Sequence, residues 1–176
     1  NLSYLVWSID LPRDLKALRE LGEFNKIAFL GSKYYLDGIP ALKKGFSFMS
    51  KSLGLDLVNV PVERDVEAAL KAIPANTQAV YLGPNPQLDL AAIERLAQGL
   101  IQRKLPSFSW VGRLEVERGI LLGLGSPKDV ERLTRRTAIN IQGIVLGDDP
   151  GSLVNAFKLS EQLVLNMNTA RAIDVS

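Results

Sequence analysis

The stretch LPSFSWVGRLEVERGILLGLG, residues 105–125, decides how this chain is read. It holds two short apolar runs, Ser107–Val111 and Ile120–Leu124, separated by a compact polar segment from Gly112 to Gly119. Each run has the length of a strand buried on both faces. Each is followed by glycine, where a backbone turns sharply or approaches a ligand closely. In open parallel sheets ligands sit beyond the carboxyl ends of the strands. Trp110–Arg113 and Gly123–Gly125 are therefore the first places to look for a bound molecule.

Upstream, the same alternation repeats. Lys26–Leu30, Leu55–Val60 and Gln78–Leu82 read as strands. Helices are expected between them. Asp10 and Pro12 start one that carries Leu15, Leu18 and Leu21. A loop with Tyr34 and Tyr35 precedes another, which begins near Asp37–Pro40 and is closed by Gly54. Glu63–Ile73 is the next, and a further helix follows the N-cap Asp89. Beyond Gly125, Ser126 is placed as an N-cap with Pro127 in the first turn, and Val130, Leu133, Ala138, Ile141 and Ile144 as the inner face. A last short strand is expected at Gln162–Leu165, and a last helical turn or two at Asn168–Ile173. Strand–helix alternation from Lys26 to Leu124 is the pattern of a doubly wound parallel α/β sheet, here of about five strands. The chain reads as a single domain, with residues 10–150 forming one lobe and the end segments 1–9 and 160–176 lying outside the repeat. Asn1–Ile9 and Gln162–Leu165 are expected to pair with each other or with a second copy, so a homodimer through exposed edges is one outcome.

Composition removes several kinds of chemistry. The chain has 176 residues, 47% hydrophobic and 23% charged, which is ordinary for a globular domain with a real core. A net charge of +2 argues for neither nucleic acid nor an acidic surface partner. It contains no cysteine and no histidine, which excludes disulfides, thiol and imidazole catalysis, and the usual zinc ligands. No Gly-x-x-x-x-Gly-Lys-Ser/Thr run is present, and Gly123-Leu124-Gly125 lacks the third glycine of a dinucleotide fingerprint. Leu30-Gly31 and Leu82-Gly83 put no acids at strand ends, as a phospho-receiver requires, and Asp148-Asp149 beside Pro150 and Gly151 reads as a turn. The expectation is a non-enzymatic domain without metal or cofactor.

The tail LVLNMNTARAIDV, residues 163–175, resembles the closing motif of the ABC-transporter substrate-binding family that includes tryptophan- and tyrosine-type solute receptors. Gln78–Asn85 is similar to that family's AVYVPPDN strand and turn, Pro106–Gly125 to its PVFASDxxxVxxGALAxxG block, and Asn1–Leu21 to the segment entering the second lobe. The resemblance implies a type I periplasmic-binding-like fold, of which this chain covers the second lobe and the returning segment. It also implies a location in the periplasm or cell envelope. A narrower resemblance starts at VERLTRRTAINIQ, residues 130–142, and runs to the tail; it is to the binding-protein-like region ahead of TolC-like outer-membrane efflux proteins.

Departures from the receptor pattern bear on the site. Val111 and Gly112 stand where the family has Ser-Asp, and Pro127, Lys128 and Asp129 where it has Asp-Tyr-Tyr; Arg132 replaces a small residue. An acidic partner for a ligand's ammonium and two aromatic rings are thereby removed. The candidate ligand-binding residues that remain are Ser32, Tyr34, Asn85, Trp110 and Arg113, the last because its planar fork suits a carboxylate. Each has a structural alternative: loop packing for Tyr34 and its neighbour Tyr35, a core ring for Trp110, a turn residue for Asn85, a surface cation for Arg113. Lys128, Arg132, Arg135 and Arg136 read as a solvated helix face.

Three functions fit. The first is an accessory domain of an outer-membrane efflux protein, acting with membrane transport or efflux components. The second is a solute receptor of an ABC importer for a small, amino-acid-like organic solute. The third is a small-molecule-sensing domain of a regulator on the same fold.

Overall fold

The computed structural model describes residues 3–7, 10–158 and 160–175. In chain order the elements are β1 (Val6–Trp7), α1 (Leu11–Arg19), β2 (Lys26–Ser32), α2 (Lys33–Gly38), α3 (Pro40–Leu53), β3 (Asp56–Val62), α4 (Val66–Ala72) and β4 (Ala79–Leu82). Then come α5 (Leu90–Gln102), β5 (Ser107–Ser109), α6 (Arg113–Val116), β6 (Leu122–Leu124), α7 (Asp129–Val145), β7 (Ala156–Phe157), β8 (Leu163–Leu165) and α8 (Met167–Ala172).

The main sheet has six strands in the order β3-β2-β4-β5-β6-β8. Its first five are parallel, and β8 runs antiparallel to β6. The doubly wound α/β architecture is thus the expected one, with one strand more. The chain moves from β2 outward to β3, then crosses to β4 on the other side of β2. That reversal opens a crevice at the carboxyl ends of β2 and β4, the place where such sheets hold ligands.

Alternate residues of each strand feed two cores. Ala28, Leu30, Val80 and Leu82 face α4 and α5, where Leu70, Ile93, Leu96 and Leu100 are buried. Ile27, Phe29, Tyr81 and Phe108 face the other side, with Leu15 and Leu18 of α1 and Phe46 of α3. On that side the rings of Phe29, Tyr81 and Phe108 stand in register across three strands. They stack at 5.6 and 5.5 Å between centroids, and Phe46 closes on Phe29 at 4.3 Å. Such cross-strand ring pairs add to the stabilisation from burial alone. The ladder explains two glycines: a Cβ on Gly31 or Gly83 would lie 2.6 or 2.5 Å from the Phe29 ring.

Several expectations change. The loop at Tyr34 and Tyr35 is helix α2, and the polar segment 112–119 contains α6. β5 and β6 are shorter than the apolar runs that announced them: the chain bends at Trp110 and Val111 after β5, and Ile120 and Leu121 precede β6. Ser126 does not cap α7. Asp129 accepts from the Ser126 amide at 2.7 Å, and the helix begins at Asp129 itself. The inner face predicted for α7 is not covered: Val130 is 74% and Ile141 56% exposed, while Asp129 and Asn140 are the buried residues of this helix. The physical reason is that α7 packs closely against none of the other elements, so no second layer meets its apolar side among the described residues.

The end segments pair differently from the expectation. Val6 and Trp7 lie parallel to Ala156 and Phe157 in a separate two-stranded sheet. Positions 1, 2, 8 and 9 of the expected extended segment lie outside the described residues, as does Ser176. Leu163–Leu165, placed outside the repeat by its sequence, joins the main sheet beside β6, and α8 buries Ala170 and Ile173 in the core below it. Both strands thus find a partner within the chain, and each keeps its other edge open.

Candidate functional site

A cavity of ≈ 780 Å³ opens at the carboxyl ends of β2, β4 and β5 and continues beneath α3 along the aromatic ladder. Its volume suits a small organic molecule. The strand ends bring Gly31, Ser32, Pro84, Asn85, Trp110 and Val111; α1 brings Leu11, α2 Tyr35 and Leu36, and α3 Leu42, Phe46 and Met49. Phe29 and Tyr81 form part of the wall, and Leu114 and Glu115 of α6 complete it.

The predicted residues divide. Ser32 is buried, ends β2 and lines the cavity; it stands at the N-cap of α2 without a side-chain capping bond. Trp110 lines it too, half-buried, with part of its ring against the core and its amide donating to Leu82 O at 2.9 Å. Asn85 lines it, but its side chain holds the turn: Nδ2 donates to Leu30 O at 3.1 Å and Gly83 O at 2.9 Å, and Oδ1 accepts from Gln87 Nε2 at 3.1 Å. Tyr34 does not reach the cavity. It is 80% exposed on α2, edge-on to Tyr35, above a shallow groove with Lys33 and Glu63. Tyr35, its neighbour, is the tyrosine that lines the wall. Arg113 is also outside; its Nε donates to Glu117 Oε1 at 2.7 Å, one helical turn on. A carboxylate-binding role for Arg113 therefore has no support in the geometry.

The residue that sequence reasoning missed is Glu115. It is 5% exposed, lies in the cavity wall, and its Oε2 accepts from Ser109 Oγ at 2.5 Å. The Ser109 hydroxyl is itself oriented by the Gly112 amide, which donates to Oγ at 2.8 Å. Burial pushes the Glu115 carboxyl up to about 7, against the Ser109 bond, which favours the ionised form. One signal was present in the sequence. Ser107 and Ser109 flank Phe108 in a strand too buried to leave hydroxyls unpaired. Ser107 accepts from the Leu121 amide at 3.1 Å, and Ser109 takes Glu115.

Gly112, which the sequence resemblance sets against an acid, has a backbone that admits no side chain. Its φ is +84°, and a Cβ there would lie 2.0 Å from Leu124 O. In this chain the acid of the wall comes from α6 instead.

A second buried carboxyl supports the wall from behind. Tyr81 OH donates to Asp14 Oδ2 at 2.8 Å, and Arg13 donates to Oδ1 through Nε at 3.0 Å and Nη2 at 2.8 Å. Burial raises Asp14 above the ordinary range, although Arg13 and Tyr81 pull it back. Burial beside Asp14 also raises the Tyr81 phenol, which stays neutral. Tyr81 is thus held between α1 and the ladder.

No family model matches the chain, and no curated protein matches it either. Solved structures do. A conserved domain protein from Vibrio cholerae O1 biovar eltor superposes with a TM-score of 0.85 at 22% identity, over 100% of this chain and 59% of that one. An ABC domain in complex with L-Trp from Streptococcus pneumonia gives 0.70 at 17%, over 87% and 51%. A substrate-binding protein with adhesive properties from Clostridium difficile, in a ligand-free, open structure, gives 0.68 at 13%, over 99% and 58%. The chain thus spans between half and three-fifths of these proteins and has the fold of one portion of them: a mixed α/β lobe of the substrate-binding-protein kind.

Proposed function

We propose that this chain is the solute-holding lobe of a non-enzymatic, two-lobed binding protein that serves transport across the cell envelope. It works in the periplasm or at the cell surface and takes a small organic solute. The observation that carries this reading is the ≈ 780 Å³ cavity at the switch point of the sheet, walled by the ends of β2, β4 and β5. Two neighbours of the same fold support it, one named as a substrate-binding protein and one solved with L-Trp. In the two-lobed arrangement, the main sheet with β8 and α8 is one body. The β1–β7 pair and α7 begin the other, whose remaining layers cover the apolar side of α7. The clasp at the crossing is Asp129, which holds Arg132 Nη1 at 2.8 Å and the Ser160 amide at 3.3 Å, while Arg132 lies over the Phe157 ring.

The test is thermal unfolding of the chain against a panel of amino acids, aromatic acids, amines and alcohols. Saturable stabilisation by one class, reduced by Trp110→Ala, supports the reading. The absence of any shift across the panel, both in this folded chain and in a folded protein that carries both lobes, overturns it.

The efflux-associated form is the finer reading. It rests on the sequence resemblance of residues 130–175, and a coding sequence that continues into heptad-bearing helices and alternating strands favours it.

A further inference from the structure

We propose that the solute held in this cavity is a lipophilic amine, an ammonium group on an aromatic or aliphatic body, with the Glu115 carboxylate as its counter-ion. This rests on the reading of the cavity as a solute site and names the chemical class it selects.

Glu115 is the wall's ionisable carboxyl, and no lysine or arginine lines the cavity among the described residues. The candidate cation, Arg113, lies outside and is paired with Glu117. A ligand carboxylate would therefore enter an apolar space opposite an acid, which desolvation and repulsion both oppose. An ammonium meets the reverse situation. A carboxylate buried without a cation is costly, and a bound ammonium supplies the missing charge. The acid is also held in position before any ligand arrives, by the relay from the Gly112 amide to Ser109 Oγ to Glu115 Oε2. The remainder of the wall fits the organic body. Trp110, Tyr35, Phe29 and Phe46 present ring surface, which attracts both apolar groups and cations.

Ser109 and Glu115 could instead form a self-contained structural pair that ignores ligands. An isosteric series separates the two cases: 2-phenylethylamine, 2-phenylethanol and 3-phenylpropionate, titrated calorimetrically into the wild-type chain, Glu115→Gln and Ser109→Ala. Glutamine keeps the volume and can still accept from Ser109. The amine is expected to bind the wild type most tightly and the acid most weakly. Glu115→Gln is expected to weaken the amine roughly tenfold or more and leave the alcohol within about twofold. Ser109→Ala, which removes the positioning hydroxyl, weakens the amine selectively but by less, and keeps the test decisive if the glutamine variant fails to fold. If alcohol or acid binds the wild type as well as the amine, or if neither variant discriminates, the amine assignment is overturned while the solute site stands. If none of the probes binds the folded wild type, the amine assignment is overturned, and the solute-site reading falls with it when the wider panel of acids, amines and alcohols also gives no thermal shift.

Discussion

Glu115 faces conflicting demands at the residue scale. It sits in an apolar wall, where burial favours the protonated acid, and it is the acid or base of the cavity lining among the described residues, where the proposed ligand needs a charge. Its carboxyl is raised from an ordinary 4.5 to about 7 in the folded chain, so between these values the native state holds the proton more firmly than the unfolded one. Stability from this group is therefore full below about pH 4.5 and declines as pH rises towards 7. Glu115→Gln abolishes that decline. Denaturant unfolding at pH 8 is expected to show the variant more stable than wild type by up to about 3 kcal/mol, with little difference at pH 4.5. Tyr81 and Asp14 form another buried polar contact of the wall. Tyr81→Phe leaves an acceptor of Asp14 short of one partner and is expected to cost about 1–2 kcal/mol, read as a shift of the denaturation midpoint at unchanged slope. Of the candidate residues, Ser32, Asn85 and Trp110 were legible because strand ends can be read from apolar runs. The choice between Tyr34 and Tyr35 was not legible. Adjacent residues on a helix point about 100° apart, and a segment read as a loop gives no phase with which to choose.

Short elements account for most of what the sequence hid. α2 and α6 are six and four residues long, too short for a helical period to emerge. α6 carries Arg113 outward to Glu117 and Glu115 inward to Ser109, and neither direction can be read from the sequence without the phase of this helix. The turn ahead of it depends on Gly112, where φ is +84° and Leu124 O fills the space of a Cβ. Gly112→Ala is expected to destabilise the chain by at least about 1–3 kcal/mol from backbone strain alone, and to release the Ser109–Glu115 contact. Thermal unfolding measures the first effect, and the loss of amine selectivity measures the second. α7 shows the opposite case, a helix plainly written in the sequence whose apolar face finds nothing to cover it among the described residues. Val130→Lys and Ile141→Lys are each expected to change the stability of this chain by less than about 0.5 kcal/mol, since both side chains are already in water. Chemical denaturation checks this; a loss of several times that size would mean that the face packs within the chain.

At the scale of the whole molecule, the sheet was legible because β2 to β6 are apolar runs bounded by glycine, proline and helix caps, the pattern that parallel sheets require. The strand at Leu163–Leu165 was legible too, but its place in the main sheet was not, since its antiparallel pairing is set by the tail folding back onto β6. The sheet's reversal at β2 and β4, which locates the cavity, depends on strand order and is invisible to local patterning. The central claim is that this cavity holds a small solute. The most direct measurement is fluorescence titration of Trp110 in a Trp7→Phe background, which leaves one tryptophan of the chain's two, at the cavity wall. A saturable change with an amine probe such as 2-phenylethylamine, shifted to roughly tenfold higher concentration or beyond by Glu115→Gln but not by Arg113→Ala, is the predicted result. An emission that stays constant for amines, alcohols and acids alike, up to their solubility limits in a folded protein, would contradict it.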